Sequence, residues 1–370
     1  MMSCKVMVVF GTRPEAIKMC PVVLALRDRG IETIVCVTGQ HREMLESVLS
    51  SFGVVPDYNL AIMKPGQTLF DINISILEHL RPVLEVERPD LVMVHGDTTT
   101  TFASSLAAFY LQIPVAHVEA GLRTYNIYSP FPEEFNRRAV SIVAKLNFAP
   151  TDTAAKNLAK EGVDPASIYV TGNTAIDALQ YTVKDDFDHP IIKWASGSKL
   201  ILLTAHRREN LGDSMRQMFR AVRMVADHNP DVKIVYPVHL NPAIRELVDE
   251  CFSDIEAVKC IEPLDVVDFH NIMARSYLVL TDSGGIQEEA PAFDKPVLVM
   301  RNTTERPEGV EAGTSKLVGT KCEGIFEQCN ELINDSYAYK KMANAMNPFG
   351  DGKACDRIAD IVLKELECVK

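Results

Sequence analysis

LVMVHGDTTTTFASSLAAFYLQIPVAHVEAGLRTYNIYSPFPEEFNRR, residues 91–138, holds two short apolar strands that each end in an acid: Val94-His95-Gly96-Asp97 and His117-Val118-Glu119. Strands apolar along their whole length, separated by a helical pattern, indicate a parallel sheet covered on both faces. In open α/β sheets ligands bind outside the carboxyl ends of the strands. Asp97 and Glu119 are therefore expected to converge on one crevice, joined by Pro132-Glu133-Glu134-Phe135-Asn136-Arg137-Arg138. Carboxylates gathered in this way suit proton transfer.

The same punctuation extends in both directions. Val6 to Phe10, Thr33 to Thr38, Leu200 to Thr204, Lys233 to Val238, Tyr277 to Thr281 and Val297 to Met300 are short apolar runs alternating with helical patterns. That alternation predicts an α/β protein of two Rossmann-like, doubly wound parallel-sheet domains with a deep cleft between them. A length of 370 residues exceeds what one core usually organises. The expected division is 1–173 and 174–352, after a strand ending at Ile168-Tyr169-Val170-Thr171-Gly172-Asn173. Residues 353–370 form a helix returning to the first domain.

A net charge of -12 argues against nucleic-acid and anionic-membrane partners, so any phosphate site must be local. The nine cysteines show no CxxC pair or metal-ligand spacing, which fits a reduced, cytoplasmic protein without a bound metal. Neither a signal-peptide core nor an apolar run of membrane-spanning length is present.

Three further loops carry chemistry. Gly11-Thr12-Arg13-Pro14-Glu15 follows the first strand; Thr12 and Glu15 fit a capping box, and Arg13 with Lys18 could hold an anion at the helix start. An ordinary capped helix with Lys18 paired to Glu15 is the alternative. Thr281-Asp282-Ser283-Gly284-Gly285 lets backbone approach a phosphate, with Glu289 placed for ribose hydroxyls, although Ser-Gly-Gly alone can be just a tight turn. In Thr204-Ala205-His206-Arg207-Arg208, an imidazolium at His206 could stabilise a diphosphate leaving group, while surface arginines are usually solvated. Asp97 could instead cap the following helix, and Glu133 and Glu134 could be a solvated helix start. Glu119 resists a structural explanation, because an unpaired buried carboxylate is costly.

Taken together, Gly11-Thr12-Arg13-Pro14-Glu15, His95-Gly96-Asp97-Thr98-Thr99-Thr100, His117-Val118-Glu119-Ala120-Gly121-Leu122-Arg123, Pro132-Glu133-Glu134, Ser283-Gly284-Gly285-Ile286-Gln287-Glu288-Glu289 and Arg301-Asn302-Thr303-Thr304-Glu305-Arg306-Pro307-Glu308 resemble the non-hydrolysing UDP-N-acetylglucosamine 2-epimerases nearly end to end. The resemblance implies a glycosyltransferase-B-like fold and reversible conversion of UDP-GlcNAc to UDP-ManNAc, with neither metal nor NAD. In that family UDP leaves by anti elimination to give 2-acetamidoglucal, then adds back. Asp97, Glu119 and Glu133 would be the acid/base groups. Arg13, Lys18, Arg137 and His206 would surround sugar and diphosphate, and Phe269 would stack on uracil. Ser283, Gly284, Gly285, Glu289 and Arg306 would bind phosphates and ribose.

Bacterial members also bind a second UDP-GlcNAc as an allosteric activator, and Gln40, Glu43, Gln67, Arg207, Arg208 and His239 fall at the matching places. Domain closure would link the two sites. The resemblance further suggests a homodimer. Competing readings are a hydrolysing 2-epimerase that releases ManNAc and UDP, a glycosyltransferase of the same fold, and a non-catalytic nucleotide-sugar sensor.

Overall fold

Val6-Met7-Val8-Val9-Phe10 has no exposed side chain and no polar alternation, so it is stable only with both sheet faces covered. A computed structural model describes residues 4–39, 42–64 and 66–367 and separates two units, Met1–Tyr181 with Gly350–Lys370, and Thr182–Phe349. Among the described residues no helix is long and apolar enough to cross a membrane.

Unit 1 contains β1 (Lys5–Phe10), β2 (Glu32–Val37), β3 (Tyr58–Asn59), β4 (Leu91–His95), β5 (Val115–Val118), β6 (Ala144–Ala149) and β7 (Ile168–Val170). They form one parallel sheet in the order β3-β2-β1-β4-β5-β6-β7. The order reverses between β1 and β4, which opens a crevice at their carboxyl ends. Ile76, Leu80 and Leu84 recur one turn apart on helix Leu69–Glu87 and pack in one core with Met7, Val9, Val92 and Val94. Each such side chain contributes about 1.5–3 kcal/mol when removed from water.

Unit 2 contains β8 (Lys199–Thr204), β9 (Val232–Pro237), β10 (Val258–Ile261), β11 (Leu278–Thr281), β12 (Val297–Val299) and β13 (Ser315–Leu317). Their order β10-β9-β8-β11-β12-β13, again all parallel, reverses between β8 and β11. Helix Asp213–His228 covers one face with Met215, Met218, Phe219, Val222 and Val225 against Ile201, Leu203, Ile234 and Leu280.

The boundary falls after Tyr181, not after residue 173, and the chain re-enters unit 1 at Gly350, not at 353. Asp177 explains the shift. On helix Thr174–Thr182, its carboxylate accepts the N–H groups of Ala354 (3.2 Å) and Cys355 (2.8 Å), capping helix Ala354–Glu367. Arg29 then holds that helix through Asp356 and Asp360.

Candidate functional site

The loop after β1 is built by contacts that sequence neighbours cannot supply. A Cβ on Gly11 would lie 2.1 Å from Thr38 Oγ1 and 2.6 Å from Thr100 Oγ1, so only glycine fits. Thr12 caps helix Arg13–Asp28, and Glu15 completes the expected capping box. The buried Glu15 carboxylate accepts from Gly11 N (3.0 Å) and Thr12 N (2.7 Å), and also from Thr98 Oγ1 (2.7 Å) and Thr101 Oγ1 (3.2 Å). One acid therefore ties together the loops on both sides of the β1/β4 reversal. Arg13 opens the helix, and Lys18, one turn further in, ion-pairs with Glu119 instead of Glu15.

Glu119 adopts φ +63°, the left-handed region, which costs a non-glycine residue on the order of 1 kcal/mol or more. Its side chain is 11 % exposed and faces Lys18, Asn173 Nδ2 (3.3 Å) and His95 Nε2 (3.6 Å). Gly121 follows at φ +92°, where a Cβ would meet the Ala154 carbonyl oxygen at 2.3 Å. The turn is thus fixed by backbone packing that aims the Glu119 carboxylate.

Asp97 pairs with Arg137 Nη2 at 2.6 Å, and its carbonyl accepts from Asn136 Nδ2 at 2.9 Å. Its side chain keeps 28 % exposure, yet its surroundings push the carboxyl above the usual aspartate range. Burial is the main cause, opposed by Arg137 and reinforced by the charges of Glu119 and Glu133. Glu133 begins helix Glu133–Val143, one turn before Arg137. Glu134 is no solvated helix start: it is fully buried and accepts from Thr124 N and Tyr125 N, both at 3.0 Å. The structure brings Lys18, Asp97, Glu119, Glu133 and Arg137 into one electrostatic neighbourhood of unit 1.

A folded-state pKa above the unfolded one means that folding favours protonated Asp97, so stability falls as pH rises through that window. The charged group then costs stability at neutral pH. Asp97→Asn should raise the neutral-pH melting temperature by a few degrees. Arg137 keeps Glu134, 3.6 Å away, as a partner in that variant. A lower melting temperature would contradict this electrostatic picture.

In unit 2 the loops after β8 and β11 are joined by Asp282, which is fully buried. Its carboxylate accepts from His206 N (3.0 Å), Arg207 N (2.9 Å) and Asn210 Nδ2 (3.2 Å), and lies 3.2 Å from His206 Nδ1. Burial lowers the His206 pKa and Asp282 only partly opposes it, so the ring is mainly neutral at pH 7. Its ring stacks on His239, centroids 6.0 Å apart.

Glu305 receives Arg207 Nη2 at 2.7 Å and Arg301 Nη1 at 2.5 Å. Burial alone would raise its pKa, but the two arginines override it and lower the group to about 2. A Cβ on Gly284 would stand 3.0 Å from Glu305 Oε1, so this acid lines the Ser283-Gly284-Gly285 turn. Ser283 starts helix Gly284–Glu289 without a side-chain capping bond, and Arg306 ion-pairs with Glu288 of that helix. Glu289 lies 3.7 Å from His270 Nε2, and Phe269 packs beside the His270 ring at 6.2 Å. Phe269, Ser283–Gly285, Glu289 and Arg306 are thus linked on unit 2.

The remaining expected residues are split between the units. Gln67 spends its amide on its own loop, accepting from Lys64 N (2.6 Å) and donating to the Ile62 carbonyl (2.9 Å). Arg207 is committed to Glu305 and the Asp282 carbonyl, and His239 Nδ1 accepts from Asn241 N. Gln40 lies outside the described residues, as do the side chains of Glu43 and Arg208.

The profile of the UDP-N-acetylglucosamine 2-epimerase family matches residues 24–363. The chain belongs to that family. Among curated relatives, the UDP-N-acetylglucosamine 2-epimerase of Bacillus subtilis (strain 168) is 57 % identical over 98 % of this chain and 96 % of its own. A Neisseria meningitidis UDP-GlcNAc 2-epimerase, solved bound to UDP-GlcNAc, is 49 % identical over 97 % of this chain and 100 % of its own, with TM-score 0.89. The S. aureus MnaA structure with UDP is 51 % identical over 98 % of this chain and 97 % of its own, with TM-score 0.91. A Rickettsia africae glycosyltransferase, 13 % identical with TM-score 0.64 over 99 % of both chains, shares the fold alone, which is glycosyltransferase-B-like.

Proposed function

We propose that this 2-epimerase is the non-hydrolysing form, interconverting UDP-GlcNAc and UDP-ManNAc through elimination and re-addition of UDP. The observation that carries the reading is the grouping of Asp97, its pKa raised, with Glu119 and Glu133 beside Lys18 and Arg137. A carboxylate cluster in which one member, Asp97, has a raised pKa is suited to removing and returning a weakly acidic C–H proton. A carboxylate takes the C-2 proton, the C–H electron pair becomes the C-1 to C-2 double bond, and the C-1 to oxygen bond breaks with its pair going to UDP. UDP then adds back to 2-acetamidoglucal, and a second acid delivers a proton to the opposite face. Protons and electrons balance on the substrate, so the step calls for neither metal nor NAD.

Arg13, Lys18 and Arg137 hold sugar and diphosphate, Phe269 stacks on uracil, and Ser283, Gly284, Gly285, Glu289 and Arg306 bind phosphates and ribose. The UDP-GlcNAc and UDP held by the solved relatives support this ligand class. A second UDP-GlcNAc acts as activator through Gln40, Glu43, Gln67, Arg207, Arg208 and His239. The enzyme works as a cytoplasmic homodimer supplying ManNAc for cell-surface polysaccharide. Chromatography of a completed reaction separates the two forms: UDP-ManNAc without accumulating UDP supports this reading, and equimolar ManNAc and UDP would establish the hydrolysing one.

His206 gives a signed pH prediction. Free, its pKa lies below the ordinary 6.5. A diphosphate beside it favours the imidazolium and raises that value, so UDP binds with proton uptake. UDP affinity should fall by up to about tenfold from about pH 6 to about pH 8, and His206→Asn should flatten the profile by calorimetry. An unchanged slope in the variant would remove His206 from the diphosphate.

A further inference from the structure

His95 ends β4 and is 4 % exposed, yet neither ring nitrogen has a hydrogen-bond partner among the described residues. Buried polar groups are seldom left so, and the exceptions concentrate at functional sites. The contrast with the adjoining strand is informative. His117 on β5 is just as deep, but its Nε2 bonds the Gly96 carbonyl at 2.7 Å, and burial holds its pKa down to about 4. That neutral ring is consumed in fixing the Gly96-Asp97 turn. His95 has no such employment, and the polar atom facing it is Glu119 Oε2, 3.6 Å from Nε2. A hydrogen bond needs them roughly half an ångström closer.

Glu119 is held elsewhere in this state. Its Oε2 takes the Lys18 ammonium and the Asn173 amide, while Asn136 and Arg137 are engaged with Asp97. We propose that His95 is a positioning residue for Glu119, donating its Nε2–H to the carboxylate once the substrate diphosphate draws Lys18 away. The inference rests on the epimerase reading above, in which Lys18 serves the anion and Glu119 carries a proton. His95 then keeps Glu119 aimed at the sugar during proton transfer. Without it, a carboxylate that has lost Lys18 swings within the crevice.

Two near-isosteric variants test this, because the Gln amide nitrogen can stand where Nε2 stands and the Asn nitrogen only where Nδ1 stands. His95→Asn should lower kcat by about 100-fold with KM within about threefold, whereas His95→Gln should stay within about fivefold of wild type. UDP affinity and melting temperature should match wild type in both. Equal activities in the two variants, or losses tracking melting temperature or UDP affinity, would overturn the proposal. Should neither fold, the wild type labelled with ¹⁵N-histidine supplies the answer: the His95 Nε2 signal should move on adding UDP-GlcNAc but stay still in Glu119→Ala, which leaves no acceptor, and a signal indifferent to the ligand in wild type refutes the role. Wild type that exchanges no C-2 proton with solvent would fail the epimerase mechanism itself and take the His95 role with it. Normal exchange with a silent His95 fails this inference alone.

Discussion

Glu119→Gln should lower kcat by about 10³-fold or more while leaving UDP affinity within about twofold of wild type. Glutamine preserves the length and shape that the left-handed backbone at φ +63° presents, and its carbonyl oxygen can still accept from Lys18. What it cannot do is take up or give back a proton. The residues proposed for uracil, ribose and phosphates, Phe269, Ser283, Gly284, Gly285, Glu289 and Arg306, lie on unit 2, and Lys18, proposed for the diphosphate, keeps an acceptor at this position in the variant. Single-turnover kinetics with calorimetry of UDP binding separate the two effects. A loss of UDP affinity matching the loss of turnover would assign Glu119 to binding and not to proton transfer.

Asp282→Ala should lower stability by about 3–5 kcal/mol, because it leaves buried donors without their acceptor. The backbone N–H groups of His206 and Arg207 and the Asn210 amide all point at this one carboxylate. Its loss frees the loop after β8 from the Ser283-Gly284-Gly285 turn, so UDP binding should fail along with stability. The melting temperature should drop by about 10 °C. A wild-type melting curve with intact UDP affinity would show that Asp282 is not the fastener described here.

How much of this was legible from sequence depended on how local each cause is. The eight long apolar runs became strands with ends moved by at most one residue, since Val/Ile/Leu-rich segments bounded by turns have few other ways to bury themselves. Four strands lacked that signal. β3 and β13 are two and three residues long, and β6 and β10 carry Lys145, Asn147 and Lys259 among their apolar positions. The capping box at Thr12 and Glu15 was readable because its partners are three residues apart.

Glu15's second task was not readable, because Thr98 and Thr101 stand 83 and 86 residues away. The same distance problem hid Asp282 as the clamp on the His206 loop and Arg207 as a partner of Glu305, whereas the partners of Glu134 are nine and ten residues away across an irregular loop. His95 stands in the His95-Gly96-Asp97 motif, but its significance lies in being buried with no hydrogen-bond partner among the described residues. Only three-dimensional burial reveals that.

The most direct measurement is proton NMR of UDP-GlcNAc with the purified protein in heavy water, without metal, NAD or acceptor, following the sugar C-1 and C-2 signals. UDP-ManNAc should appear with deuterium at C-2 in both sugars, and UDP should stay attached at equilibrium. Conversion with C-2 hydrogen retained, or free ManNAc accumulating with UDP, would contradict it.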